Sequence, residues 1–201
     1  NPGSTELPLS DALAIDPRLE YILSLHELPL LAMADGYAMA SGRLGVACVH
    51  ISGGLGNAMG MIFNAYREGT PLLIMAGQQD RRLRFQEPAM ESDMVAVARP
   101  WTKWAAEVSR VEDVPAAVRR AAQVALTPPT GPVFLALPVA VQLVAATGHD
   151  QRAPEQGDQH DRGDGPRHEN RAPRRRRLLL LLLRHNPREE VERPRRPLQS
   201  H

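Results

Sequence analysis

At 201 residues the chain is long enough for one ordinary domain and a tail. Its 24 Lys and Arg against 23 Asp and Glu leave a formal charge of +1, so nothing global points to a nucleic-acid or strongly acidic partner. One cysteine, Cys48, excludes a disulfide framework and a Cys-based zinc site, and no run reaches the roughly 20 apolar residues of a membrane span, so a cytoplasmic protein is the expectation. Asn1-Pro2-Gly3-Ser4 is turn chemistry, and Thr5 to Leu13 reads as a short helix with Ser4 as its N-cap. A loop of this kind usually follows a strand, so the chain is expected to begin inside a domain whose first strand is missing. Tyr21-Ile22-Leu23-Ser24-Leu25 is short and apolar, as a buried strand is. From Glu27 the apolar residues recur at helical spacing, at Leu30, Leu31, Ala34 and Tyr37 or Ala38, with Pro29 in the first turn. Gly36 inside this helix, costing about 1 kcal/mol against Ala, implies a packing reason.

Gly45 to His50 reads as a buried strand, Ser52 to Asn57 as a tight glycine-rich loop, and Ala58 to Arg67 as the helix that loop opens. Pro71 to Ala76 is a further strand ending at Gly77, followed by a polar, irregular stretch from Gln78 to Pro88. Met90 to Ala98 reads as a short helix and Trp101 to Val108 as a strand. Val114 to Leu126 reads as a helix with Val114, Val118, Ala121, Ala122 and Ala125 on one face. Pro132 to Leu137 is the last strand, closed by Pro138. Wholly apolar strands alternating with helices predict an α/β fold: a doubly wound, mainly parallel sheet with helices on both faces. Ligands of such sheets bind beyond the carboxyl ends of the strands. Asn1–Ser4, Glu27, Ser52–Asn57 and Gln78 should line that edge.

As residues alone, these positions have ordinary explanations. Glu27 reads first as a solvated carboxylate favoured by a helix N-terminus. In an apolar setting it would instead be costly unpaired and pushed towards its neutral, proton-donating form. The glycine loop suggests a phosphate cradle, but Met59 stands where the third Gly of G-x-G-x-x-G belongs and no acidic residue closes the next strand. Nicotinamide dinucleotide binding is therefore disfavoured, and the absence of G-K-[ST] removes a P-loop.

Several motifs then join in order. They are Asn1-Pro2-Gly3-Ser4-Thr5-Glu6-Leu7-Pro8, His26-Glu27 with Ala34-Asp35-Gly36-Tyr37-Ala38, and His50 with Gly54-Leu55-Gly56-Asn57-Ala58-Met59-Gly60. Ala76-Gly77-Gln78-Gln79 and Arg99-Pro100 with Thr102-Lys103-Trp104 complete the set. Together, over about Asn1 to Gln142, they resemble the pyrimidine-binding domain of thiamine-diphosphate-dependent enzymes, most of all the benzoylformate decarboxylase branch. Ser52-Gly53 with Gly56, and Phe85-Gln86-Glu87, also look like acetolactate synthase. His50 favours the decarboxylase branch, and the paired histidines of pyruvate decarboxylases are lacking.

The resemblance implies a thiamine diphosphate cofactor whose aminopyrimidine ring is hydrogen-bonded by Glu27, favouring the imino tautomer that takes the thiazolium proton. It implies that Ser4 contacts the carboxylate of a 2-oxo acid substrate and that His50 transfers protons. Pro2, Gly54 and Asn57 would wall the pyrimidine pocket. Without the resemblance, Ser4 is an N-cap, His50 a strand-end imidazole on a backbone carbonyl, and Pro2, Gly54 and Asn57 are turn-makers. The family holds the diphosphate through Mg2+ on a second domain that this chain lacks, and it works as a homo-oligomer, dimer or tetramer, each site shared by two subunits. The chain is thus expected to be an N-terminally truncated domain over residues 1–142, inactive alone, with no metal, membrane or nucleic-acid site.

Residues 143–201 form an Arg- and Pro-rich tail, read as disordered or as a shifted reading frame. Gly163-Asp164-Gly165 with Asn186 mimics the family's metal signature but lacks the preceding strand. Arg174–Arg177 resembles a nucleic-acid patch, and the six leucines of Leu178–Leu183 are too few to span a bilayer.

Overall fold

The computed structural model describes residues 1–14, 16 and 19–147. Four strands form one sheet: β1 (Gly45–Val49), β2 (Leu72–Gln78), β3 (Trp104–Glu107) and β4 (Val133–Pro138). Their spatial order is β1-β2-β4-β3 and every pairing is parallel. Cys48 stands opposite Met75, Met75 opposite Leu135, and Leu135 opposite Ala106. β2 and β4 are buried at every position. That explains their unbroken apolar sequences: a central parallel strand has helices on both sides and no wet face.

Successive side chains on a strand point to opposite faces, so each strand feeds two cores. Leu72, Ile74, Ala76, Phe134 and Ala136 pack on one face with Leu30 and Leu31 of α2 (Glu27–Ser41), Leu55 and Ile62 of α3 (Gly53–Glu68) and Met94 of α4 (Met94–Ala98). Leu73, Met75, Val133, Leu135 and Leu137 pack on the other with Leu9, Val118 and Val141. These last three belong to α1 (Leu7–Ala14), α5 (Val114–Leu126) and α6 (Val139–Thr147). The doubly wound α/β architecture with helices on both faces is the one the alternation of elements predicts.

Several local expectations are corrected. Tyr21–Leu25 is not a strand. Tyr21, Ile22, Leu23 and Leu25 are exposed, Leu25 at 96%, and only Ser24 is buried. A short apolar run becomes a buried strand only if a neighbouring strand or helix covers it. The Ser52–Asn57 stretch is not the tight loop its glycines suggest. Helical bonding begins at once, with Leu55 N–H donating to His50 O at 3.0 Å and Gly56 N–H to Ser52 O at 2.8 Å, so Gly53, Gly54, Gly56 and Asn57 lie inside α3. Ser52 alone takes the sharp bend, at φ 45° and ψ −79°. Its hydroxyl lies 2.6 Å from Ser92 Oγ and also donates to Met90 O.

Gly36 has no packing reason, because a Cβ there would meet nothing within 4 Å. Tyr37 is exposed, and the buried stripe of α2 runs through Glu27, Leu30, Leu31, Asp35 and Ala38. Ser4 is not an N-cap. Gly3 holds that position, and Ser4 opens a 3-10 turn, Ser4–Glu6, ahead of α1. α6 continues through Gln142 to Thr147. Gly163–Gly165 with Asn186, Arg174–Arg177 and Leu178–Leu183 lie outside the described residues. Among the described residues no helix is long and apolar enough to cross a membrane.

Candidate active site

The segment Asn1–Glu6 crosses the carboxyl end of the sheet. Two side chains far apart in sequence, Glu6 and Gln142, tie it there. Glu6 Oε1 accepts the Gly77 N–H at the end of β2, at 2.7 Å. Gln142 on α6 donates to Thr5 O at 2.9 Å and to Leu137 O at 2.6 Å. Gly77 must be glycine for this approach, since a Cβ there would lie 2.6 Å from Thr5 O and 2.5 Å from Glu6 Oε1. Asn1, Pro2 and Gly3 are thereby half-buried over the ends of β1 and β2, while Ser4 is exposed.

Glu27 is the first residue of α2, entered through His26, whose Nδ1 accepts the Leu28 N–H at 3.2 Å. Its side chain is buried, at 4% exposure, and not the solvated residue that single-residue odds favour. Asn1 Nδ2 donates to Glu27 Oε1 at 2.6 Å and Asn57 Nδ2 to Oε2 at 3.1 Å. Gly54, on the first turn of α3, lies between Glu27 and His50. A Cβ there would fall 2.8 Å from Glu27 Oε1 and 2.8 Å from His50 Cβ. Glu27, Asn57, Gly54 and His50 therefore lie together at one edge of the sheet. Gly54 serves close approach rather than turn-making, and Asn57 is helical and not a turn residue.

The electrostatics of Glu27 reverse one expectation. Burial pushes the carboxyl up, but the Asn57 amide, its own backbone N–H, the Asn1 amide and His26 together pull it below the ordinary carboxylate range. The group is held ionised rather than neutral, because the burial is accompanied by donors. A carboxyl whose folded pKa is depressed stabilises the fold above its unfolded pKa, and that contribution disappears as pH falls through the folded value. We expect urea midpoints to drop as pH falls below about 4, where an unfolded Glu protonates. Asn57→Leu should flatten that drop, and an identical pH profile in the variant would contradict it.

His50 follows β1. It is not bonded to a backbone carbonyl. Its Nδ1 lies 2.8 Å from Oε2 of Glu6, a carboxylate with no exposure at all. Glu6 is the site residue that sequence reasoning missed. A single Glu in Thr-Glu-Leu-Pro carries no periodicity that separates it from a solvated one; only its fixed place in the Asn1–Pro8 motif could have marked it. Cys48, partly covered, packs against the α5-side core. Burial and then the Glu6 charge push its thiol up to about 12, which disfavours the thiolate. Among the described residues no group of three or more His, Cys, Asp or Glu side chains could hold a metal ion.

Comparison with known proteins agrees with the fold. Residues 1–97 match the family described as thiamine pyrophosphate enzyme, N-terminal TPP binding domain. The chain is 42% identical over 139 residues to benzoylformate decarboxylase of Pseudomonas aeruginosa, covering 69% of this chain and 26% of the relative. It is 35% identical over 137 residues to the mitochondrial acetolactate synthase catalytic subunit of Aspergillus candidus, covering 68% of this chain and 20% of the relative. Among solved structures, benzoylformate decarboxylase from Polynucleobacter necessarius superposes with a TM-score of 0.68 at 36% identity, over 81% of this chain and 29% of that one. The thiamine diphosphate-dependent 4-hydroxybenzoylformate decarboxylase of Rhodococcus jostii gives 0.67 at 37% identity, over 71% of this chain and 27% of that one. The chain thus spans about a quarter of the length of these relatives. Motifs, fold and likeness coincide over residues 1–97, the stretch that matches the N-terminal TPP binding domain of the thiamine pyrophosphate enzymes.

Proposed function

We propose that this domain holds the pyrimidine end of thiamine diphosphate, as a fragment of a 2-oxo acid decarboxylase of the benzoylformate decarboxylase type. The observation that carries the reading is Glu27. It is a buried carboxylate fixed from two sides by Asn1 and Asn57, beneath a glycine whose Cβ would fill the space above it. A carboxylate held in this way suits a hydrogen bond to a ring nitrogen. When bound, thiamine diphosphate supplies the nucleophilic carbon and the electron sink for loss of CO2 from a 2-oxo acid.

The chain's own residues have separable tasks in this reading. Ionised Glu27 accepts a hydrogen bond from a protonated ring nitrogen and so stabilises the proton there. The two asparagine amides keep its oxygens from rotating away. Pro2 and Gly54 wall the ring. Exposed Ser4 offers a hydroxyl to the substrate carboxylate, and His50 moves a proton to or from the bound substrate. Mg2+ and the diphosphate would be held by a domain outside this chain, within a homo-oligomer. We expect the chain alone to release no CO2 from benzoylformate.

Calorimetric titration of the purified chain with thiamine diphosphate and Mg2+ tests the reading. A hydrogen bond to a charged group contributes about 1.5–3 kcal/mol, so Glu27→Gln should weaken binding roughly tenfold or more. Equal affinity in the variant, or binding of NAD in place of thiamine diphosphate, would overturn the assignment. An acetolactate synthase-type fragment is the second reading. It is supported by the 35% identity over 137 residues to the Aspergillus candidus acetolactate synthase catalytic subunit.

A further inference from the structure

Glu6 has no exposure, and each of its oxygens meets two groups. Oε1 accepts the Thr5 hydroxyl at 2.7 Å and the Gly77 N–H at 2.7 Å. Oε2 accepts the Gly3 N–H at 2.7 Å and faces His50 Nδ1 at 2.8 Å. Backbone N–H groups can only donate, and a hydroxyl can do so, which makes this an acceptor's position on both oxygens. A carboxylate satisfies all four contacts only if His50 Nδ1 also carries a hydrogen. A second constraint acts on the same ring. A Cβ on Gly3 would lie 2.2 Å from His50 Cε1, 2.3 Å from Nδ1 and 2.7 Å from Nε2. The imidazole therefore lies against bare backbone, in a slot that only glycine leaves open.

We infer that Glu6 is a positioning residue for His50: it fixes the neutral imidazole as the Nδ1–H tautomer, with Gly3 holding the ring plane. This rests on the reading of His50 as the proton-transfer group. The tautomer decides which nitrogen does that work. With Nδ1–H committed to Glu6, the lone pair is on Nε2, the edge left to a side chain that keeps 21% exposure while Glu6 keeps none. Nε2 takes a proton, the ring becomes imidazolium with Nδ1–H still on the carboxylate, and Nε2 returns the proton. A partner that orients imidazole through its other nitrogen is a recurrent way to set its basicity and direction.

Nitrogen-15 spectra of the full chain, labelled at histidine, read the tautomer directly and need no cofactor. The His50 signals are those lost in His50→Gln. In mildly alkaline solution, where imidazole is neutral, we expect a protonated Nδ1 and a bare Nε2. Glu6→Gln places an NH2 against one of the two donor pairs, so it should abolish that preference and give averaged signals or the Nε2–H form. Should Glu6→Gln not fold, the unaltered chain decides alone: an Nε2-protonated or freely averaging His50 overturns the inference. A tautomer unmoved in a folded Glu6→Gln variant also overturns it. Failure of the thiamine assignment would show instead in the Glu27→Gln titration and leave these spectra unchanged.

Discussion

Glu6→Ala is expected to cost about 3–5 kcal/mol of unfolding free energy, because it takes a fully buried acceptor away from several hydrogen-bond donors at once. The variant leaves the Gly3 and Gly77 N–H groups without their acceptor and His50 without its partner. Each orphaned buried donor costs about 1–3 kcal/mol, so the total is reached without invoking the cavity. Domains of this size are stable by only about 5–15 kcal/mol, and such a loss would bring this one near its threshold. Urea unfolding followed by far-UV circular dichroism measures it. A change below about 1 kcal/mol would mean that water replaces the carboxylate and that Glu6 is less enclosed than the structure shows.

Gly77→Ala should be nearly as damaging, although it adds a single methyl group. The added carbon would be 2.6 Å from Thr5 O and 2.5 Å from Glu6 Oε1, and a backbone carbonyl tied to Gln142 cannot rotate aside. Overpacking of this kind costs about 1–3 kcal/mol. The charge-assisted bond from Gly77 N–H to Glu6, worth about 1.5–3 kcal/mol, is strained with it. Both variants act on the same contact, so they must not add. The double variant Glu6→Ala, Gly77→Ala should be milder than the sum by about 1 kcal/mol or more, and strict additivity would show that the two residues do not communicate.

The parts of this fold most readable beforehand are those where one strong pattern meets no competitor. Val114–Leu126 is helical over the span its periodicity gives, with Val114, Val118, Ala121 and Ala125 buried. β2 and β4 announce themselves as unbroken apolar runs because both their faces are covered. The errors fall where composition and context disagree. Ser and Gly at 52–56 have turn composition, yet α3 starts at Gly53, and of its glycines Gly54 alone lies so close to Glu27 and His50 that a Cβ would collide with them. Tyr21–Leu25 has strand composition without a partner to cover it. In the site, Glu27, His50, Gly54 and Asn57 were legible through their motifs. The ionised state of Glu27 was not, since it depends on two amides 26 and 30 residues away. Glu6 was not either, since its burial is created by Gly77, 71 residues on.

Those separations bear on the order of events as the chain folds. The bonds that fasten the first six residues to the rest of the domain include ones spanning 26, 44, 47, 71 and 137 positions. Contacts that distant form late, after the intervening chain has been brought together. The binding edge should therefore close only once β4 and α6 have docked, and no shorter piece ending before Gln142 should possess it. In the native protein the Gly77 amide hydrogen should exchange with deuterium only through whole-domain opening, among the slowest in the molecule, whereas amides of the uncovered stretch at 21–25 should exchange almost at once.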